Sequence, residues 1–492
     1  MLSSLRLHFV QLASIFAFAV SAINIPGYGL KLSPRGRFFA DSKGEPFFWQ
    51  ADTSWGLFHR LTLSDAETYF DDRAAKGFNI VLAVGFTQFG IDNPNRQGDL
   101  PFIEEDPTKP NEAYWAHIDS VVEVAWKRGI RVAMVPAWGQ YIHSSDNLPG
   151  PINSTNARTF ATFIGKRYPG LPKILVADTN PWWTNKTAVK ANYAFGGVAP
   201  KLKFTDWSPV YDELAEGLIS GEGKEAMITI HCTNQWFEPG PIALASAMLG
   251  DRQWLTFDSS QSGHTDFPPN PPIPWWNARR GYEPVELMYQ SPKRRPLVDN
   301  EAHYESRYDN GNSTYSYWNA SDVRIGSFQA VFSGASGATY GNDNVMQAYV
   351  PGLYEQDGSG PAESWVDALQ APGAAQMQNI KKVICDRKGD YFSRVPAQEI
   401  LVGDTGVNDQ HVVATRDTGG EYALVYTPTG KPVTVRMNAL RLKSKNVKAS
   451  WFDPIAGTYT AFDFDGASAG ASHTFTSPNN GSHSDWVLVL ES

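Results

Sequence analysis

From about Pro46 onward the chain repeats one pattern: a short apolar run rich in β-branched residues, a polar or aromatic cluster at its end, then apolar residues at helical spacing. Short apolar runs of this kind fit strands buried in a sheet, whereas recurrence at three and four residues fits amphipathic helices. The strand signals are Phe47–Trp55, Phe78–Phe86, Ile130–Trp138, Ile174–Asn180, Met227–Cys232, Leu255–Ser260, Pro296–Tyr304 and Gly337–Asn342. This alternation predicts an α/β fold, a (β/α)8 TIM barrel. Two helices show clear ends. Ser64 is expected to cap the first, with Glu67 three positions later closing a capping box and Gly77 ending it. The second, Asn111 to Arg128, carries Trp115, Ile118, Val121, Val122 and Ala125 on one face and has Gly129 as its C-terminal stop.

After about Asp390 the pattern changes to short alternating segments with turn signals: His411–Thr415, Glu421–Thr427, Pro432–Arg436, Val447–Phe452 and Trp486–Glu491. These predict a C-terminal all-β sandwich. The division is therefore residues 1–22 as a leader, 23–389 as the barrel and 390–492 as an accessory β-domain. Long Pro- and Gly-rich segments follow several strands, at Phe89–Pro110, Asn180–Thr205 and Asp266–Tyr282. In a barrel, loops at these positions build the functional face.

The N-terminus refines this picture. Arg6 precedes the apolar stretch Phe9–Val20, which ends in Val20-Ser21-Ala22, the small-residue pattern of a signal-peptidase site. Secretion to the extracellular space is expected. The stretch falls short of the roughly 20 apolar residues of a spanning helix, so no membrane association is expected after its removal. Sequons at Asn153, Asn185, Asn312, Asn319 and Asn480 are candidate glycosylation sites for a chain that meets the secretory machinery. Cys232 and Cys385 are the two cysteines, and their spacing leaves pairing open. A formal charge of −9 without a basic run argues against a nucleic-acid partner. The 16 Trp, 20 Tyr and 27 Phe suit stacking on sugar rings as well as ordinary cores. A monomer acting on an oligo- or polysaccharide is the expected state.

Catalytic groups in such a barrel come from the C-terminal tips of different strands. In order the tips carry Asp52 and Trp55; Gln88; Trp138 and Gln140; Asp178 and Asn180; His231 and Asn234; Asp258, Gln261 and His264; Glu301 and Tyr304; Tyr340 and Asn342. Glycoside hydrolysis needs one carboxyl to protonate the leaving oxygen and a second to attack or to activate water. Asp178 and Glu301, at tips four and seven, lie across the mouth and can flank one bond. A separation of roughly 5–5.5 Å gives retention through a covalent glycosyl-enzyme. The structural alternatives are that Asp178 caps its loop and that Glu301 pairs with Arg294, Arg295 or Arg307. Asp258 is a competing carboxylate, and Asp52 reads as an acceptor for sugar hydroxyls.

His231 and His264 lack metal-ligand spacing, so no metal is expected, and imidazoles there suit substrate hydroxyls. Asn180 and Gln261 are read as further substrate-binding groups. Tyr304 and Tyr340 can bind substrate or orient the nucleophile, and Trp138, Trp182 and Trp183 can stack on a sugar face. No Gly-x-Ser-x-Gly elbow leads from a strand into a helix and no dinucleotide-binding glycine turn occurs, so neither Ser-hydrolase chemistry nor a cofactor is expected. The competing class is a catalytically silent carbohydrate- or matrix-binding protein.

The segments Gln50-Ala51-Asp52-Thr53-Ser54-Trp55, Lys76-Gly77-Phe78-Asn79, Gln261-Ser262-Gly263-His264, Asn300-Glu301-Ala302-His303-Tyr304-Glu305 and Thr339-Tyr340-Gly341 resemble the apiosidase-like glycoside hydrolases of family 140. Trp451-Phe452-Asp453-Pro454-Ile455-Ala456-Gly457 and Ser484-Asp485-Trp486-Val487-Leu488 are similar to the β-sandwich that follows the barrel in that family, labelled a collagen-binding domain. The similarity runs from about Leu30 to Glu491. It implies Asp178 as acid/base, Glu301 as nucleophile, and a secreted enzyme that removes a furanosyl branch sugar from a pectic side chain. One departure is that Val176-Ala177 stands where the family commonly has Gly-Gly before the Asp.

Overall fold

The computed structural model describes residues 25, 27–86, 88–184, 203–223, 226–233, 244–266, 277–444, 446–466, 470–479, 481 and 484–492. A strand overlaps each of the eight apolar runs: β1 Trp49–Thr53, β2 Ile80–Val84, β3 Arg131–Val135, β4 Lys173–Ile174, β5 Ile228–Thr229, β6 Asp258–Gln261, β7 Leu297–Glu301 and β8 Gly337–Tyr340. Between or after them lie helices α1 Leu63–Ala75, α2 Glu112–Lys127, α3 Ala157–Arg167, α4 Ser208–Glu222, α5 Tyr282–Gln290, α6 Ala320–Phe332 and α7 Pro372–Cys385. Strands β5-β4-β3-β2-β1-β8 form one parallel sheet, and β6 and β7 form a parallel pair. The pair is joined to both edges by backbone hydrogen bonds, Thr256 N–H to Ile228 O (3.0 Å) and Ser336 N–H to Leu297 O (2.8 Å).

The period-two alternation of a strand sorts its side chains into two cores. Along β2, Ile80, Leu82 and Val84 pack inward with Trp49, Ala133, Val135 and Phe257, while Val81 and Ala83 pack outward against Tyr69, Trp115 and other helix residues. Contact between β1 and β8 is so close that a Cβ on Gly337 would lie 1.9 Å from the Trp49 carbonyl oxygen, which only glycine avoids.

Helix α1 starts differently from the sequence expectation. Thr62, in extended conformation, is the N-cap: its hydroxyl accepts from Asp65 N (3.2 Å) and Asp65 returns the bond to Thr62 N (3.0 Å). Ser64 already lies inside the first turn, so it cannot cap it. Helix α2 begins at Asn111, whose side chain accepts from Ala113 N, and Gly129 adopts φ 76° beyond its end.

The C-terminal part is an antiparallel sheet of β9 Arg394–Pro396, β10 Val413–Asp417, β11 Tyr422–Thr427, β13 Lys448–Asp453, β14 Thr458–Phe462 and β16 Trp486–Glu491. Its order is β9-β10-β11-β16-β13-β14, and β12 Val433–Val435 pairs separately with β15 His473–Phe475. One face packs Ala423, Val425, Trp451 and Leu488 with Val433, Val435 and Phe475 of the small ladder. The other packs Tyr422, Leu424, Tyr426 and Phe452 on Val323, Phe328, Phe332 and Ile380 of α6 and α7. The small ladder is thus the second β layer of the C-terminal part, and helices of the parallel part cover the opposite face of its main sheet.

Cys232 is unpaired in the core and Cys385 is unpaired at the exposed end of α7. Among the described residues no helix is long and apolar enough to cross a membrane.

Candidate active site

Glu301 ends β7 and is 7% exposed. Its Oε1 accepts from Gln261 Nε2 (2.9 Å) and His264 Nε2 (2.7 Å), and Oε2 lies 3.3 Å from His231 Nε2. The partner atoms fix both imidazole tautomers. Tyr304 N–H donates to His264 Nδ1 (3.2 Å) and Asp178 N–H to His231 Nδ1 (3.4 Å), so each ring carries its proton on Nε2, facing Glu301. Burial opposes the charge on Glu301, but the bonds from His231 and His264 prevail and hold the carboxyl well below the usual carboxylate range. Tyr304 completes this shell. Its hydroxyl accepts from Trp55 Nε1 (3.1 Å), and burial followed by the Glu301 charge keeps it protonated far above neutrality.

Asp178 reaches the same cleft from the opposite side. Beyond β4 the pairing with β3 continues in the same register, Met134 opposite Lys173 and then Ala137–Trp138 opposite Val176–Ala177. The next residue, Asp178, is exposed and adopts φ 53°, a left-handed conformation that Asp tolerates better than most non-glycine residues. Such strain concentrates at functional sites. The cleft has a volume of about 500 Å³ and is lined by Asp178, Glu301, Gln261, His264, Trp138 and Arg307, among others.

The remaining candidates separate by position. His231 is fully buried beneath the cleft, with Trp55 edge-on at 5.5 Å. Asn180 is also buried, its amide donating to Thr233 O (2.5 Å). Trp183 lines the cleft, whereas Trp182 is 37% exposed and does not. The structure does not bring Asp52, Asp258 or Tyr340 to it. Asp52 is sealed on the helix side of β1, where its Oδ2 accepts from Arg73 Nε (2.6 Å) and Tyr69 OH (2.7 Å). Asp258 caps the short helix Ala245–Leu249 through Ser246 N (2.9 Å). Tyr340 donates to Glu305 Oε2 (2.6 Å) in the outer core. None of the arginines weighed as partners of Glu301 makes an ion pair with it: Arg295 donates to Leu255 O (2.8 Å), Arg294 is exposed, and Arg307, which lines the cleft, pairs with Asp343 (2.8 Å) and meets Glu301 only through its longer-range charge. Of the sequons, Asn312 is exposed, Asn153 and Asn319 are half-buried, Asn319 caps α6, and Asn185 and Asn480 lie outside the described residues.

His143 escaped the sequence reading. It lies past the tip of β3, stacks on Trp207 (5.3 Å between ring centroids), and accepts from Thr179 Oγ1 (2.8 Å) while its Nδ1 faces Ser144 O (3.2 Å). Burial pushes it down to about 4, so it is neutral near pH 7. The signal was the aromatic and histidine density just after Trp138, but a loop position gives no direction without the fold. Among the described residues no group of three or more His, Cys, Asp or Glu could hold a metal ion.

The arrangement is a carboxylate that accepts from Gln261 and His264 and has His231 at 3.3 Å, with a second carboxylate on the same cleft. Comparison with known proteins agrees with that chemistry. Residues 33–389 match the family model "Apiosidase-like, catalytic domain", and residues 395–491 match "Putative collagen-binding domain of a collagenase". No curated protein matches the chain. A solved structure described as a glycoside hydrolase is similar with TM-score 0.79 and 24% identity over 94% of this chain and 97% of its own. A glycoside hydrolase family 5 protein from Bacteroides vulgatus is similar with TM-score 0.79 and 25% identity over 94% of each chain. Since the matched catalytic model spans most of its length, the chain belongs to the apiosidase-like family of glycoside hydrolases and carries glycosidase activity.

Proposed function

We propose that the chain is a secreted, monomeric glycosidase that hydrolyses a furanosyl, apiose-type linkage of plant cell-wall glycan with retention of configuration. In this reading Asp178 is the acid/base and Glu301 the nucleophile. The observation that carries it is the hydrogen-bonded cradle of Glu301 in a cleft that Asp178 also lines. In the first step the Asp178 carboxyl gives its proton to the leaving oxygen while a Glu301 oxygen attacks the anomeric carbon and the glycosidic C–O bond breaks. Oε2 is the attacking atom, because Oε1 already accepts two hydrogen bonds. In the second step water attacks the anomeric carbon, its proton passes to Asp178, and Glu301 leaves. His231 and His264 keep the nucleophile ionised, Gln261 and His264 hold Oε1 in place, and Trp138 and Trp183 offer apolar faces to the sugar.

The same reading takes the eight strands as a closed barrel, supported by the bonds that link the β6–β7 pair to β5 and β8. It keeps residues 1–22 as a leader, 23–389 as the catalytic unit and 390–492 as an accessory domain, with glycans on accessible sequons. The pectic substrate and the assignment to family 140 rest on the ordered motifs and the apiosidase-like match. The test is hydrolysis of aryl furanosides and plant-wall polysaccharides by wild type, Asp178→Ala and Glu301→Ala, with the product anomer followed by NMR. Retention by wild type and loss in both variants is expected. Undiminished turnover in either variant removes that residue from the mechanism, and an inverted product removes the covalent step.

A further inference from the structure

We propose that Asp299 is a positioning residue for the glycosidase reaction: its carboxylate clasps Ser262 across a β-bulge, and this clasp turns Glu301 into the cleft and lays the donors of Gln261 and His264 on it. The proposal rests on the reading of Glu301 as nucleophile.

The bulge is visible in the strand register. Asp258, Ser259 and Ser260 of β6 stand opposite Leu297, Val298 and Asp299 of β7, but the next residue, Gln261, stands opposite Glu301. Asn300 is therefore the extra residue of β7. Val298 packs in the inner core and Leu297 in the outer one, so strict alternation would send residues 299 and 301 outward together. Asp299 does lie behind the cleft lining, close to Gly281 ahead of α5, whereas Glu301 lines the cleft. Bulges beside active sites commonly re-aim a side chain in this way.

A bulge interrupts the ladder, and the polar groups it displaces need other partners. Asp299 supplies them: Oδ1 accepts from Ser262 N–H (3.0 Å) and Oδ2 from the Ser262 hydroxyl (2.5 Å). Both residues are buried. Just beyond, Gly263, at φ 74°, donates its N–H to Glu301 O (2.9 Å), so the turn is tied to β7 at residues 299 and 301. The two ends of this turn carry the donors, Gln261 Nε2 and His264 Nε2, that meet Glu301 Oε1 at 2.9 and 2.7 Å. The His264 end has a further anchor, since its carbonyl accepts from Asn310 N–H (3.0 Å) and Trp318 Nε1 (3.1 Å). The Gln261 end is held through Asp299. Gly281 closes over the clasp, where a Cβ would stand 3.0 Å from Ser262 Oγ and 3.6 Å from Asp299 Oδ2.

An enclosed carboxylate is costly unless its bonds are used. Burial pushes Asp299 up to about 6, against the bonds from Ser262 and the Glu301 N–H, which draw it down. Near pH 7 it is thus ionised, and the bonds it accepts are charge-assisted. Asp258, the other buried carboxylate of this strand pair, is spent on Ser246 of a short helix, whereas Asp299 holds the turn that bears both donors. Asp299 and Glu301 lie two residues apart on one strand, so the clasp sets the donors relative to the backbone of the nucleophile itself. Misplacing a reacting group by about 1 Å is enough to cost roughly 10²-fold in rate.

The experiment is steady-state hydrolysis of an activated aryl glycoside by Asp299→Ala, Asp299→Asn and Ser262→Ala. Each is made in the wild-type chain and in Glu301→Ala supplied with azide as external nucleophile, and thermal unfolding is recorded for all. In the wild-type background Asp299→Ala is expected to lower kcat by roughly tenfold or more while KM changes by less than about twofold. Asp299→Asn keeps an acceptor for Ser262 N–H and a donor for Ser262 Oγ, and is expected to recover most of the loss. Without Glu301 there is no carboxylate to aim, so in the azide-supplied background Asp299→Ala is expected to change turnover by less than about twofold. Equal losses in the two backgrounds, the result of a merely structural role, overturn the proposal. So does wild-type kcat in Asp299→Ala, or an Asp299→Asn as impaired as Asp299→Ala. If Asp299→Ala does not fold, Ser262→Ala decides: a kcat loss confined to the wild-type background supports the clasp, and an unchanged kcat overturns it. Full activity of Glu301→Ala without azide defeats the catalytic reading. An inactive Glu301→Ala beside a fully active Asp299→Ala defeats this inference alone.

Discussion

At the scale of single residues, the site is governed by what surrounds Glu301. Burial alone would raise its pKa, and the two imidazoles reverse that. Replacing His264 by Ala removes the 2.7 Å donor, so burial regains weight and the carboxylate protonates at higher pH. The acid limb of kcat/KM is then expected to move upward by about one unit, read from a pH-rate profile with an activated aryl glycoside. Asp178→Asn cannot transfer a proton and is expected to lower kcat by about 10²–10⁴-fold on a poor leaving group. The loss of the glycosylation step is smaller on a leaving group that needs no proton. Equal losses on both substrates would argue against the acid role. Strand parity explains why Asp52 misses the cleft, whereas Glu301 reaches it through the register shift between Ser260 and Gln261, since Val298 faces the inner core and Leu297 the outer. Asp52 and Glu301 both lie at the C-terminal ends of apolar runs, but Trp49 and Ala51 face the inner core, so Asp52 faces the helices. Tyr340 pairs in register with Asp52 and shares its side. That parity was available in the sequence and marks both residues as structural.

At the scale of elements, the same parity turns Asp52 into a brace between β1 and α1. Arg73 is enclosed with it, and both side chains are 0% exposed. Arg73→Met leaves a buried charge without its partner and is expected to cost about 3–5 kcal/mol in a urea or guanidinium titration. A cost below 1 kcal/mol would mean that the pair contributes little beyond its packing. The continuity of β4 is an element-scale feature of another kind. The apolar run Ile174-Leu175-Val176-Ala177 marked a single strand, and it keeps its register against β3 to the end, Lys173 opposite Met134 and Val176 opposite Ala137, which carries Asp178 to the cleft.

At the scale of the whole molecule, the C-terminal sheet covers the outer faces of α6 and α7. Arg324 of α6 donates twice to Asp485 (2.6 and 2.8 Å), both side chains are at most 1% exposed, and Tyr426 OH donates to the same carboxylate (2.9 Å). Deleting residues 390–492 uncovers Phe328, Phe332 and Ile380 together with the Arg324 charge. The truncated chain is expected to aggregate, with no cooperative thermal transition. Asp485→Ala in the full chain is expected to lose about 3–5 kcal/mol, measured by chemical denaturation. A truncated protein that melts cooperatively and keeps its activity would show that the interface is dispensable.

The sequence by itself determined the eight apolar runs, the helices between them, the change of pattern near Asp390 and the carboxylates at strand tips, because each is written in local periodicity and residue type. Tertiary structure alone decided which tip residues meet. Gln261 ends β6, His264 follows it and His231 follows β5, and they acquire their meaning only where all three converge on Glu301 of β7. The same is true of Arg324 and Asp485, 161 positions apart in the chain. Long-range convergence of polar groups depends on register and burial, which are properties of the packed chain rather than of any segment within it.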